Sequence, residues 1–212
     1  MKKLSFKRYD HINRPIYELI TPGSRVLDVG SSAGALAGKL TREKGCIVDV
    51  IDYDKEAMRT AQKRRKCRNL YFLDLNNLKK LAIPRRKYDY IVFADVLEHL
   101  LHPEEVVKFY LRYLSPDGKI LVSLPNIAFA LYRLKLLLGV FDYQEVGVMD
   151  RTHLKLYTLK TMEEMFCRLK LRILLHKSYN NVRARFFILQ LLKEIWPTLF
   201  TIQFVFLLER NK

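Results

Sequence analysis

Cysteine is scarce in this sequence, and the three present, Cys46, Cys67 and Cys167, stand too far apart for a C-x-x-C pair or a zinc-ligand spacing. That excludes a disulfide framework and suits a reducing cytoplasm, with each thiol expected as a small buried or half-buried side chain. Glycine (8) and proline (7) are few and scattered over the 212 residues, which excludes a low-complexity or collagen-like chain. Long apolar runs are missing as well. The two most apolar segments are 129–140, interrupted by Arg133 and Lys135, and 196–208. Both fall short of the about 20 residues that a membrane-spanning helix needs. The start, MKKLSFKRYD, has lysines with no apolar stretch behind them, so no secretory signal is expected and the location is read as cytoplasmic.

Negative charge is also short. Against 38 Lys and Arg there are 22 Asp and Glu, a net charge of +16. Such a balance invites RNA or an acidic membrane surface as partner. The cations are dispersed, however: Lys2, Lys3, Lys7 and Arg8, then KRRKCR at 63–68, residues 85–87, Arg133 and Lys135, residues 168–172, and Arg183 with Arg185. The tightest run, KRRKCR, has none of the interleaved aromatics of a single-strand stacking platform. Solvated helix ends and turns account for it better than a polyanion site.

What is present is half apolar, enough for one well-buried core and short for two, so one domain over 1–212 is expected. Hydrophobic period and punctuation alternate clearly. Residues 9–20 read as a helix, 25–29 as a strand, 33–44 as a helix closed by Gly45, and 46–51 as a strand. Asp54 is placed to cap a helix over 55–66. Strands at 69–73 and 88–94 follow, then a helix from Pro103 with Glu104 and Glu105 in its first turn. Ser115-Pro116-Asp117-Gly118 is turn chemistry that releases a fifth strand at 119–124. Strands separated by helices imply parallel β-α-β units. Beyond them come a helix over 126–138, a loop to 152, a helix over 158–169, strands at 171–176 and 200–208, and a stretch at 180–196 with no clear pattern.

The first strand runs into the first helix through VLDVGSSAG, residues 26–34. Glycine there lets the backbone turn sharply and approach a ligand, and the helix start favours an anionic group. By itself this is a weak signal that also serves nicotinamide enzymes. Asp52 sharpens it, because a carboxylate ending the second strand of such a fold accepts hydrogen bonds from a ribose diol. Asp74, just past the third strand, points at the same crevice and suits an adenine amino group, or else caps a helix.

VLDVGSSAG, VIDYDKEAM, LDL, YDYIVFADVLEHL and LSPDGKILVSLPN occur here in the order of the class I S-adenosylmethionine-dependent methyltransferase motifs. The chain resembles that family over roughly residues 24–126. With DRTHLKLYTLKTMEEMF and PTLFTIQFVFLLER it is similar to a subgroup containing ubiquinone-biosynthesis O-methyltransferases and stand-alone methyltransferases of glycan synthesis. The resemblance implies an α/β, Rossmann-like, doubly wound, mostly parallel sheet of seven strands. The last strand would be antiparallel, and a small helical cap would be inserted after strand five, about 126–157. It implies S-adenosylmethionine as cofactor, with Asp28, Gly30, Ser32 and Gly34 at its methionine end. Asp52, with Tyr53 beside it, would hold the ribose, Asp74 and the Leu75 backbone the adenine, and Ala94 or Asp95 the sulfonium or amino end. One departure is Ser32, which stands where GxGxG has its middle glycine.

Methyl transfer from a sulfonium is an in-line displacement in which the cofactor carries the chemistry and the protein aligns the acceptor. A hydroxyl acceptor gains from a general base, and His99 in DVLEH, just past strand four, is the first candidate, or else is packed against its helix or linked to Glu98. His153 in DRTH is the second. Arg151 beside it could recognise an acidic group, and the motif could equally pin the cap. His102 reads as a helix cap, and His11 and His176 have no supporting context. No carboxylate–histidine cluster with metal spacing is visible, so no metal is expected. The aromatic segment 129–143 either closes over an apolar acceptor or adds a layer of core. The expected partner is a small-molecule methyl acceptor, methylated at oxygen. The rivals are an RNA substrate, a catalytically silent scaffold and a nicotinamide dehydrogenase.

Overall fold

Val26, Leu27 and Val29 are fully buried in strand β1 (Arg25–Val29), and a strand buried on both faces belongs in the middle of a parallel sheet. In the computed structural model, which describes residues 11–63, 67–180, 192 and 194–211, β1 is flanked by β2 (Ile47–Asp52) and β4 (Tyr88–Ala94). The basic residues at 2–8, 64–66, 183 and 185, and most of the stretch 180–196, lie outside the described residues. Next to β2 runs β3 (Asn69–Phe72), and next to β4 runs β5 (Leu114–Pro125). Strand β7 (Gln203–Arg210) pairs antiparallel with both β5 and β6 (Leu171–Tyr179). The sheet has seven strands in the order β3-β2-β1-β4-β5-β7-β6. The chain leaves β1 for β2 on one side and later returns to β4 on the other. That reversal opens a crevice at the carboxyl ends of the strands.

Successive side chains of a strand face opposite ways, and the core divides accordingly. Leu27, Val29 and Phe93 join Val107 and Tyr110 of α4 (Pro103–Leu111) and Met165 and Phe166 of α6 (Leu159–Arg168). Val26, Val50, Val92 and Val205 face Ile16 of α1 (Arg14–Leu19) and Leu36 and Leu40 of α2 (Ala35–Lys44). The third helix of the β-α-β series, α3 (Lys55–Lys63), is capped by Asp54, whose Oδ1 accepts from the backbone of Glu56 and Ala57.

Several expectations change. Helix α1 begins only at Arg14, because Asn13 caps it through Ile16 N–H and Pro15 fits its first turn. The turn expected at 115–118 lies inside β5, where the pairing with β4 jumps from Tyr88↔Leu114 to Tyr90↔Lys119. Turn residues here make an irregularity within a strand. Where a strand was expected to begin at 200, Pro197–Phe200 forms a helical turn. Cys167 is exposed, contrary to the expected half-burial. Between β5 and α6, helix α5 (Ala130–Leu137) buries no residue, and Leu131, Leu134, Leu137, Phe141 and Tyr143 are exposed, so this segment adds no core layer. A bridge between Asn126 and Tyr157 joins the ends of that excursion. Among the described residues no helix is long and apolar enough to cross a membrane.

At the amino end of the sheet the buried carboxylate of Asp49 accepts from Tyr88 Oη at 2.8 Å and from Asn69 Nδ2 at 2.7 Å. Tyr88→Phe deletes one bond to a buried charge and should cost about 1.5–3 kcal/mol in urea denaturation. A loss below about 0.5 kcal/mol, within the range of a surface change, would contradict this role.

Candidate active site

The loop after β1 is fixed by contacts to both neighbouring strands. Gly30 N and Ser31 N donate to the Ile51 carbonyl at 2.8 and 3.0 Å. Gly30 has φ +78°, and a Cβ there would stand 2.4 Å from Val96 Cγ2, so glycine is required twice over. Ser32 is left-handed too, at φ +50°, so its backbone takes the shape usually given to glycine. Its N–H donates to Asp52 Oδ2 at 2.7 Å, which holds that conformation. The helix then starts through Gly34, at φ +70°.

Asp52 ends β2 nearly buried. Its Oδ1 accepts from Asp54 N at 2.9 Å, so backbone bonds orient both oxygens. Burial raises its pKa, while those bonds oppose the rise. A cleft of about 420 Å³ opens beside it, lined among others by Ser32, Tyr53, Asp74, Leu75 and Asp95. That volume suits a small-molecule cofactor. Asp74 does not cap a helix: its Oδ1 accepts from Asn76 N at 2.9 Å in a tight turn that faces the cleft. Asn76, which the sequence did not single out, receives Leu101 N–H at 2.9 Å and ties this turn to the segment after β4.

At the end of β4, Asp95 is held at φ +57°. Ser123 Oγ accepts its N–H at 3.0 Å and donates back to Oδ1 at 2.8 Å, and Gln203 Nε2 donates to the same oxygen. His11 Nε2 stands 3.5 Å from Asp95 Oδ2, which gives that histidine a context the sequence did not. A narrow extension of about 30 Å³ runs past Asn13, Ala94 and Asp28. Burial, and then the charge of Asp52, push the Asp28 carboxyl up to about 7. Among the described residues, no lysine or arginine lines either the cleft or its extension.

His99 closes the helical turn Leu97–His99 and lines the cleft. Its Nδ1 faces the Thr152 carbonyl at 3.2 Å and Thr152 Oγ1 at 3.0 Å, which links it to Thr152. His153 packs edge-on against it, with ring centroids 4.7 Å apart. Burial lowers the pKa of both, and keeps them neutral. The expectation of no carboxylate–histidine cluster is corrected here: Glu98, His99 and His153 bring one donor atom each within 4.8 Å of one another. Folding joins two segments about fifty residues apart, which spacing along the chain does not reveal. Arg151 pairs with Glu145 at 3.0 Å on the surface, His102 caps α4 with no side-chain bond, and His176 packs on Phe204 and Phe206.

The profile of a family described as "Methyltransferase domain" matches residues 6–176. A ubiquinone/menaquinone biosynthesis C-methyltransferase of Pseudomonas entomophila is 29% identical over 109 residues, 49% of this chain and 42% of that protein. A ubiquinone biosynthesis O-methyltransferase of Neisseria meningitidis is 25% identical over 107 residues, covering 49% and 45%. The match thus spans less than half the length of these curated relatives. Among solved structures, a SAM-dependent methyltransferase from Archaeoglobus fulgidus has a TM-score of 0.63 at 17% identity, covering 97% of this chain and 95% of that one. The [4+2]-cyclase SpnF gives 0.63 at 15%, covering 96% and 82%.

Asp28 supplies a test of the site's electrostatics. Its folded pKa of about 7 lies above the ordinary 3.8. Its contribution to stability is therefore full below the unfolded value and is lost as pH rises towards 7. Asp28→Asn should raise the melting temperature more at about pH 8 than at about pH 5. Equal shifts at both pH values would contradict the assignment.

Proposed function

This chain belongs to the methyltransferase-domain family matched over residues 6–176, and on that premise we propose that its cleft binds S-adenosylmethionine and directs the methyl group to the hydroxyl of a small-molecule acceptor. The observation that carries the reading is the charge of the cleft. In a chain of net charge +16, the lining holds Asp52, Asp54, Asp74 and Asp95, its extension reaches Asp28, and among the described residues no lysine or arginine joins them. Phosphates of RNA would be repelled there, whereas a ligand with a sulfonium and an ammonium group is attracted.

The donor set fits the cofactor. Asp52 keeps lone pairs for a ribose diol after accepting Ser32 N–H and Asp54 N–H. Asp74 and the Leu75 backbone suit the adenine edge. Asp28, Asp95 and Ala94 suit the amino and sulfonium end, with Gly30, Ser32 and Gly34 shaping the loop beneath. Neutralising the buried Asp28 offsets the cost of holding it as a carboxylate. Bound S-adenosylmethionine supplies an electrophilic methyl group. The chain's part is to align the acceptor, an effect worth about 7–11 kcal/mol at best. His99, half-buried in the cleft wall, and His153 packed against it have lowered pKa values, as groups able to take a hydroxyl proton. Relatives named as C- and O-methyltransferases of quinone synthesis fit an acceptor bearing hydroxyls on an apolar frame.

Calorimetric titration tests the reading. Asp52→Ala, folded by circular dichroism, should bind S-adenosylmethionine about 10- to 150-fold more weakly than the parent, the loss of a charged hydrogen bond. Binding of equal strength in both, or none in the parent protein, would overturn it.

A further inference from the structure

Cofactor binding makes no use of Glu98. This carboxyl is 1% exposed, and among the described residues its Oε2 has no hydrogen-bond partner. Burial, with the Asp95 charge added, holds its pKa well above the carboxylate range. A buried carboxyl oxygen left unpaired needs explanation. At the other oxygen, Oε1, His153 Nε2 lies 4.0 Å away, too far for a hydrogen bond.

The two rings are already oriented. His153 Nδ1 meets the Val148 carbonyl at 3.0 Å, and a carbonyl only accepts, so the proton is on Nδ1 and the lone pair on Nε2. His99 Nδ1 meets the Thr152 carbonyl and hydroxyl, and that hydroxyl gives its own proton to the buried Asp150 Oδ1 at 2.7 Å. The same tautomer follows. Imidazoles that donate Nδ1–H to a carbonyl, or through a hydroxyl to a carboxylate, and present Nε2, have the outer shell of metal-bound histidines.

We propose that Glu98, His99 and His153 bind one divalent first-row transition cation, Zn²⁺ or a close relative, at the acceptor end of the cleft. Two imidazoles and a carboxylate are the ligand chemistry for such an ion. Donors on one ion at about 2.0–2.2 Å stand about 3–4 Å apart, so a group within 4.8 Å draws together by about 1 Å. Three protein ligands leave a position open, and through His99 the site borders the cleft. The binding itself is independent of the methyl-transfer reading. Its consequence rests on that reading: a hydroxyl on the cation ionises more readily, and both histidines act through the ion instead of taking the proton themselves.

The experiment is a Co²⁺ titration of the chelator-stripped protein without cofactor, followed by visible absorption, with Zn²⁺ and Mg²⁺ as competitors. One equivalent should give a d–d band that Zn²⁺ removes and Mg²⁺ does not. Glu98→Gln and His153→Ala should weaken binding at least about 100-fold, and Thr152→Val, which removes the hydroxyl linking His99 to Asp150 and leaves all three ligands in place, about 10- to 100-fold. Absence of the band in the parent protein overturns the proposal even if the variants fail to fold. So does a band unchanged in all three variants. S-adenosylmethionine titrated separately keeps the readings apart: cofactor binding without Co²⁺ binding sinks the cation site alone, and the converse sinks the cofactor reading alone.

Discussion

The hydrogen bond from Ser32 N–H to Asp52 Oδ2 is the contact on which the rest of the site depends. It joins the loop after β1 to the end of β2 and stabilises a left-handed serine. It also fixes the carboxylate that faces the cleft. The neighbouring bonds from Gly30 and Ser31 to Ile51 anchor the same loop, and Val96, just past β4, packs against the bare face of Gly30. Three adjacent strands therefore define one rigid rim. A loop held in this way binds a ligand without first having to be ordered.

Electrostatics gives that rim its selectivity. The chain is strongly basic, yet among the described residues its lysines and arginines leave the cleft to aspartates. Asp28 is held by burial where a carboxylate is disfavoured, and Asp95 is oriented by Ser123 and Gln203. Such strain is common where a protein is prepared for a charged ligand. On the far side, Glu98 with His99 and His153 forms a second polar cluster whose groups are oriented before any acceptor arrives.

The sheet was legible because its strands are short apolar runs separated by amphipathic helices, and because Asp28, Asp52 and Asp74 each fall at a strand end. What local pattern missed was tertiary. Residues 115–118 have turn chemistry, but pairing with β4 on either side of them, at Leu114 and Lys119, carries the strand through as an irregularity. Glu98 entered the sequence reading only as a possible partner of His99, and only folding brings the DRTH segment to it. Gln203 and His11 reach Asp95 from opposite ends of the chain, and no spacing rule anticipates that. Ser32 could be seen as a departure from glycine, but its compensation by Asp52 required the backbone geometry.

The most direct measurement is a crystal structure of the protein grown with S-adenosylmethionine or its demethylated product. The account predicts the ribose hydroxyls on Asp52, the adenine beside Asp74 and Leu75, and the amino end directed to Asp28 and Asp95. Cofactor density away from this cleft, or a ribose with no contact to Asp52, would contradict it.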